Sequence, residues 1–102
     1  MARLVRQRQA TQLRARLVAL ATESERIRAE VIPLAIRTVE QVTAGFNRGG
    51  FQYIDVTEAE RALADARARR VEVLRDFHTT KAELDRLTGA HAALANFSEE
   101  RP

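Results

Sequence analysis

The chain has 102 residues, room for one small domain. Its hydrophobic content is 45%, yet it holds only four Phe, one Tyr and no Trp, and Ala, Leu, Val, Arg and Glu dominate, the composition of long helices. Zero Cys excludes a disulfide framework and a thiolate metal site, and the formal charge of +3 is unevenly spread.

Residues 1–50 hold nine Arg against four Glu, and residues 51–102 hold eight basic against ten acidic residues. The start is the extreme case, with Arg3, Arg6, Arg8, Arg14 and Arg16 and no acid before Glu23. Such a run suits nucleic acid or anionic lipid, but no aromatic is interleaved to stack on bases. A solvated helix face is the preferred reading, and no nucleic-acid partner is expected. The longest apolar run without proline, Leu17–Ala21, has five residues, far short of a membrane span or a signal-peptide core. No membrane insertion by this segment is expected.

From Leu13 apolar residues step by four and three through Leu17, Leu20, Ile27, Val31 and Leu34, with only Ser24 breaking the stripe. This is a heptad seam. A second stripe, Ile32, Ile36, Val39, Val42 and Phe46, runs beside it. Two stripes predict a helix with a neighbour on each flank. Pro33 interrupts the pattern, because it cannot donate to the Ala29 carbonyl and its ring crowds that turn. Val31 and Ile32 are poor N-caps, so a kink near Pro33 is expected rather than a stop and restart. The first arm is predicted over about 2–46.

The tip follows at about 47–52, where Asn47, Gly49 and Gly50 allow backbone angles that other residues avoid. The second arm, about 53–88, carries Val56, Ala59, Leu63, Ala66, Arg70, Val73, Phe77, Thr80, Leu84 and Leu87 at alternating steps of three and four. Gly89 reads as its end, with a tail over 89–102. The expected fold is therefore all-α: a long antiparallel helical hairpin with arms of roughly 65 and 50 Å at about 1.5 Å per residue. Two helices cannot bury both stripes on each other, so association into a four-helix or larger bundle is expected.

Chemistry is sparse. His78 has Arg75 and Lys81 one turn away rather than carboxylates, and neither it nor His91 belongs to a converging ligand set. No nucleophile stands with a base, and no phosphate-cradling motif occurs. The expectation is a non-enzyme with no catalytic residue, no metal site and no cofactor. The one pointed polar feature is Asp55 with Glu58, which face the same way on a helix. The spacing reads as a capping box with Asp55 as N-cap and Glu58 at N3, and Thr57 with Glu60 offers a second box.

Gly45-Phe46-x-x-Gly49, then Asp55-Val56, Glu58 and Ala59, resembles the tip of the second helical hairpin of TolC-like outer-membrane efflux proteins. Pro33, Leu63, Ala66 and the closing Lys81-Ala82-Glu83-Leu84-Asp85-Arg86-Leu87-Thr88-Gly89 are similar to the heavy-metal, cobalt–zinc–cadmium branch of that family. The resemblance covers about residues 13–89. It implies a trimeric duct, with a β-barrel in the outer membrane and a periplasmic helical tunnel to which this hairpin belongs. It places the chain on the periplasmic side of the outer membrane, as part of a larger protein in a tripartite metal or drug pump.

On this resemblance Gly45, Phe46, Gly49, Gly50 and Phe51 form the tip that binds a periplasmic adaptor protein. Asp55 and Glu58 lie on the inner side of the tunnel mouth. The second helix then restarts near Phe51 or Gln52, in competition with the capping box at Asp55. Two positions depart from the family. Thr57 stands where many members have Leu, and Phe51 stands where TolC has an arginine of the mouth lock. The alternative from another class is a free-standing coiled-coil adaptor or scaffold whose basic arm binds an anionic partner.

Overall fold

The computed structural model describes the backbone of residues 2–99 and the side chains of residues 2–89. Three α-helices and one π turn follow in order: α1 (Ala2–Arg26), the π turn (Ile27–Val31), α2 (Ile32–Asn47) and α3 (Tyr53–Glu99). Helix α3 packs back along α1 and α2, so the fold is the all-α antiparallel hairpin, with extents of 78 × 30 × 17 Å. The tip falls at residues 48–52, between Asn47 and Tyr53.

The second arm is the simpler one. Val56, Ala59, Val73 and Thr80 of its stripe are buried, and Leu63, Ala66, Arg70, Phe77, Leu84 and Leu87 are half-buried. One heptad seam thus holds from the tip to residue 87 without interruption.

The first arm changes phase. Leu13, Leu17 and Leu20 are half-buried, and Ser24 and Ile27 are buried. The next two residues of the same period, Val31 and Leu34, are 37% and 58% exposed. Beyond Ile27 the half-buried residues include Ile32, Ile36, Val39 and Val42 of the second stripe, whose last member, Phe46, is exposed. The two stripes are one seam, displaced by a single residue at the π turn. There the Ile32 N–H reaches back five residues to the Ile27 carbonyl, where an α turn reaches back four.

This corrects the expectation that two stripes require a neighbour on each flank. The physical reason lies in what an unbroken α-helix would bury. Its period would carry Thr38 and Gln41 into the seam in place of Val39 and Val42. The extra residue keeps the apolar set inward. The turn also lies directly before Pro33, where an α turn would set the ring against the Ala29 carbonyl. Arg26, Val31 and Ile32 all keep right-handed helical angles, so the arm neither stops nor restarts.

Gly89 does not end α3, which continues to Glu99. A glycine stop takes the left-handed conformation, and Gly49 alone has a positive φ among the described residues. A helical glycine costs only about 1 kcal/mol, and the Ala-rich stretch after it favours continuation. Of the tail expected over 89–102, residues 89–99 are helix and residues 100–102 lie outside the described residues.

Polar groups fix the alignment of the arms. Arg69 donates to Glu23 across the hairpin at 2.8 Å and faces Glu72 at 3.5 Å. The Glu23 hydrogen bond, foremost, raises the pKa of that guanidinium. The chain neighbours of the bridged pair, Ser24 and Arg70, are polar residues of the two seams. Arg16 Nε donates to Thr80 Oγ1 at 3.3 Å one level lower. The ion pairs are exposed and screened, so they select register more than they add stability.

Candidate docking tip

Helix α2 ends in a Schellman motif. The Gly49 N–H donates to the Phe46 carbonyl at 2.9 Å, and the Gly50 N–H donates to the Gly45 carbonyl at 2.8 Å. This pattern needs a left-handed residue between Arg48 and Gly50, and Gly49 supplies it with φ of +81°. A Cβ built on Gly49 would meet nothing within 4 Å. Its constraint within this chain is therefore the backbone angle and not crowding.

Gly45 is constrained in the opposite way. It is buried, it sits in α2, and a Cβ there would fall on Cδ2 and Cε2 of the Phe51 ring. The loop folds back so that Phe51 lies on the bare helix surface at Gly45. On the first turn of α3, Tyr53 meets Phe46 edge to face, with ring centroids 5.8 Å apart and planes at 62°. Two aromatic contacts thus tie the last turn of α2 to the loop and to the first turn of α3.

Helix α3 starts at Tyr53, and the Gln52 N–H donates to the Asp55 carboxylate at 2.9 Å. Gln52 is therefore the N-cap and Asp55 is N3, reaching back as the second residue of a capping box does. This corrects the reading of Asp55 as N-cap with Glu58 at N3, and agrees with a restart near Gln52. The frame is displaced by three residues because Asn47–Gly50 complete the turn early enough for Tyr53 to be helical. The second box fails too, since Thr57 Oγ1 bonds the Tyr53 carbonyl at 3.2 Å inside the helix. Asp55 is half-buried and Glu58 exposed, one turn apart on one side of α3.

Asp55→Ala is expected to destabilise the hairpin by about 1 kcal/mol through loss of the N-terminal bond, while Asp55→Asn retains most of it. Urea unfolding of the two variants measures the difference. Equal losses would show that the bond at Gln52 contributes nothing.

The structure brings the sequence-predicted residues together in pairs: Gly45 with Phe51, Gly49 with Gly50, Asp55 with Glu58 one turn on. It adds two that sequence reasoning missed. Tyr53 is 69% and Ile54 56% exposed, beside Phe46 at 38% and Phe51 at 48%. The second-arm period carried the signal, because a seam beginning at Val56 leaves Tyr53 and Ile54 outside it. Four large side chains are thus exposed together at the tip, outside the seam. Among the described residues no three His, Asp or Glu side chains gather as a metal site, and no helix is long and apolar enough to cross a membrane.

No family model matches the chain, and no solved structure does. Among known proteins it is similar to the cobalt-zinc-cadmium resistance protein CzcC of Cupriavidus metallidurans, with 33% identity over 66 residues. The matched stretch is 65% of this chain and only 16% of that relative's length.

Proposed function

We propose that this hairpin is a periplasmic tunnel segment of a TolC-like outer-membrane efflux duct in a tripartite metal or drug export system, its tip docking to a periplasmic adaptor. The observation that carries the reading is the similarity to CzcC, by name a resistance protein for cobalt, zinc and cadmium. The tip supports it: a Schellman turn with a bare Gly49 at its apex and exposed aromatics beside it is a surface suited to another protein's backbone and apolar side chains. Asp55 and Glu58 face one side of α3 next to that tip, as residues at a duct mouth do on this reading. The duct itself is a trimer with its barrel in the outer membrane.

The surface of the chain supports self-association. The chain presents 8111 Å² to solvent. A compact monomer of its mass would present about 5800 Å². Leu4, Val5, Val18, Leu34 and Val71 are among the exposed apolar residues of the arms. The rival basic-arm adaptor is weakened by Arg16, whose guanidinium bonds Thr80 of the other arm.

Disrupting the gene that encodes the chain is expected to raise sensitivity to zinc, cobalt or cadmium, and its return to restore tolerance. The purified chain is expected to sediment as a dimer or larger at tens of micromolar, roughly where moderate interfaces are populated. Unchanged metal tolerance, together with tight DNA binding that collapses as salt rises, would replace this reading with the basic-arm adaptor.

A further inference from the structure

We infer that Phe51 is the positioning residue of the tip and that it acts through Gly45, whose missing side chain serves as the seat for the Phe51 ring. The inference rests on the proposed docking only for what the tip is positioned to meet. Both residues stood in the partner-binding set read from the sequence. The structure adds an internal task to them.

Gly45 lies within α2, where a glycine is a poor choice on helix propensity, less favourable than Ala by roughly 1 kcal/mol. Gly45 has no positive φ to excuse it. What occupies the place of its Cβ is the Phe51 ring. The ring is 48% exposed and belongs to the loop between Asn47 and Tyr53, so no helix of its own holds it. Gly45 also accepts the Gly50 N–H, one residue before Phe51. Backbone bond and ring contact therefore close the same turn from two sides. With that turn closed, Tyr53 begins α3 where its ring reaches Phe46.

A side chain at position 45 would displace the ring rather than the helix, because the ring is the softer partner. The fold would persist while the loop lost the contact that sets its shape.

The test is a double-mutant cycle on the 102-residue chain, with Gly45→Ala, Phe51→Ala and both together. With Phe51 present, Gly45→Ala is expected to lower the folding equilibrium constant about two- to tenfold, and the difference between the two backgrounds to fall within the roughly two- to 150-fold seen for coupled neighbours. With Phe51→Ala in place, the same change is expected to raise the constant about two- to fivefold, because only helix propensity remains. Ring-current shifts of the Gly45 Hα protons, present in the native chain, disappear in Phe51→Ala. Gly45→Ala acting alike in both backgrounds, in either direction, would overturn the seat, as would Gly45 Hα shifts that ignore loss of the ring.

The docking part is read separately, as metal tolerance in cells carrying the full-length gene. Gly45→Ala and Phe51→Ala are each expected to reduce it with the protein still assembled. A coupled cycle with unchanged tolerance would keep the seat and remove its positioning role. Loss of the disrupted-gene phenotype itself would instead count against the proposed function.

Discussion

Deletion of Ala29 is expected to leave the hairpin folded, whereas deletion of Ala68 unfolds it. Both alanines are exposed, and both deletions shorten a helix by one residue. They differ in what the seam does next. Ala29 lies within the π turn, where the chain already carries one residue more than an α turn. Removing it converts the π turn to α and leaves Ile32, Val39 and Val42 in the phase they now occupy. Stability should fall by at most about 3 kcal/mol, the cost of Pro33 inside a regular α turn, where its ring would meet the Arg28 carbonyl.

Helix α3 has no such spare residue. Deleting Ala68 rotates one half of α3 against the other by about 100°. Either the tip half, Val56 to Ala66, or the lower half, Arg70 to Leu87, must leave the seam. Losing Val73, Phe77 and Leu84 alone removes side chains worth at most about 1.5–3 kcal/mol each, a sum approaching the total stability of a small domain. Far-UV circular dichroism melts of the two variants decide the matter. An Ala29 deletion that melts as early as the Ala68 deletion would refute the phase-shift account of the π turn.

The same π turn marks where the sequence stopped being legible. The second arm's period was readable because ten residues kept one heptad from Val56 to Leu87, and all ten are buried or half-buried. The tip was readable because Asn47, Gly49 and Gly50 put three residues that tolerate left-handed angles within four positions, whereas Gly45 and Gly89 stand singly in the arms. The first arm misled. A one-residue displacement of a seam and two parallel seams leave the same letters in the chain, and only the burial of Ile27 against the exposure of Leu34 separates them.

Asp55 misled for a related reason. Asp55 fits a capping box in two frames, as N-cap to Glu58 or as N3 to Gln52, and the true frame depends on where the turn before it ends. Gly89 reads as a stop by residue type, but a stop needs a left-handed angle that the backbone does not adopt there. The seat at Gly45 had no sequence signal at all, since its partner Phe51 reaches it only through the folded loop.

At the apex, Gly49→Asn is expected to abolish metal tolerance in the full-length protein while barely changing the stability of the hairpin. The two effects separate because Gly49 answers to two constraints. Within the chain it must adopt φ of +81°, and nothing surrounds the position its Cβ would take. A side chain there therefore costs only its left-handed penalty, about 1–2 kcal/mol for an ordinary residue such as Leu and less for Asn. Gly49→Leu should lower stability by that amount, and Gly49→Asn by a fraction of it, in urea unfolding of the 102-residue chain.

The second constraint is the proposed one, close approach of an adaptor backbone to the bare apex. Both variants fill that space, so both should lose zinc, cobalt or cadmium tolerance to the level of the disrupted gene, with the protein still folded and present at native levels. If turn geometry were the whole need, tolerance would follow stability, and Gly49→Asn would be close to native while Gly49→Leu was not. Retained tolerance in Gly49→Asn would therefore confine Gly49 to its turn and remove the apex from the docking surface, leaving Phe46, Tyr53 and Ile54 to carry the contact.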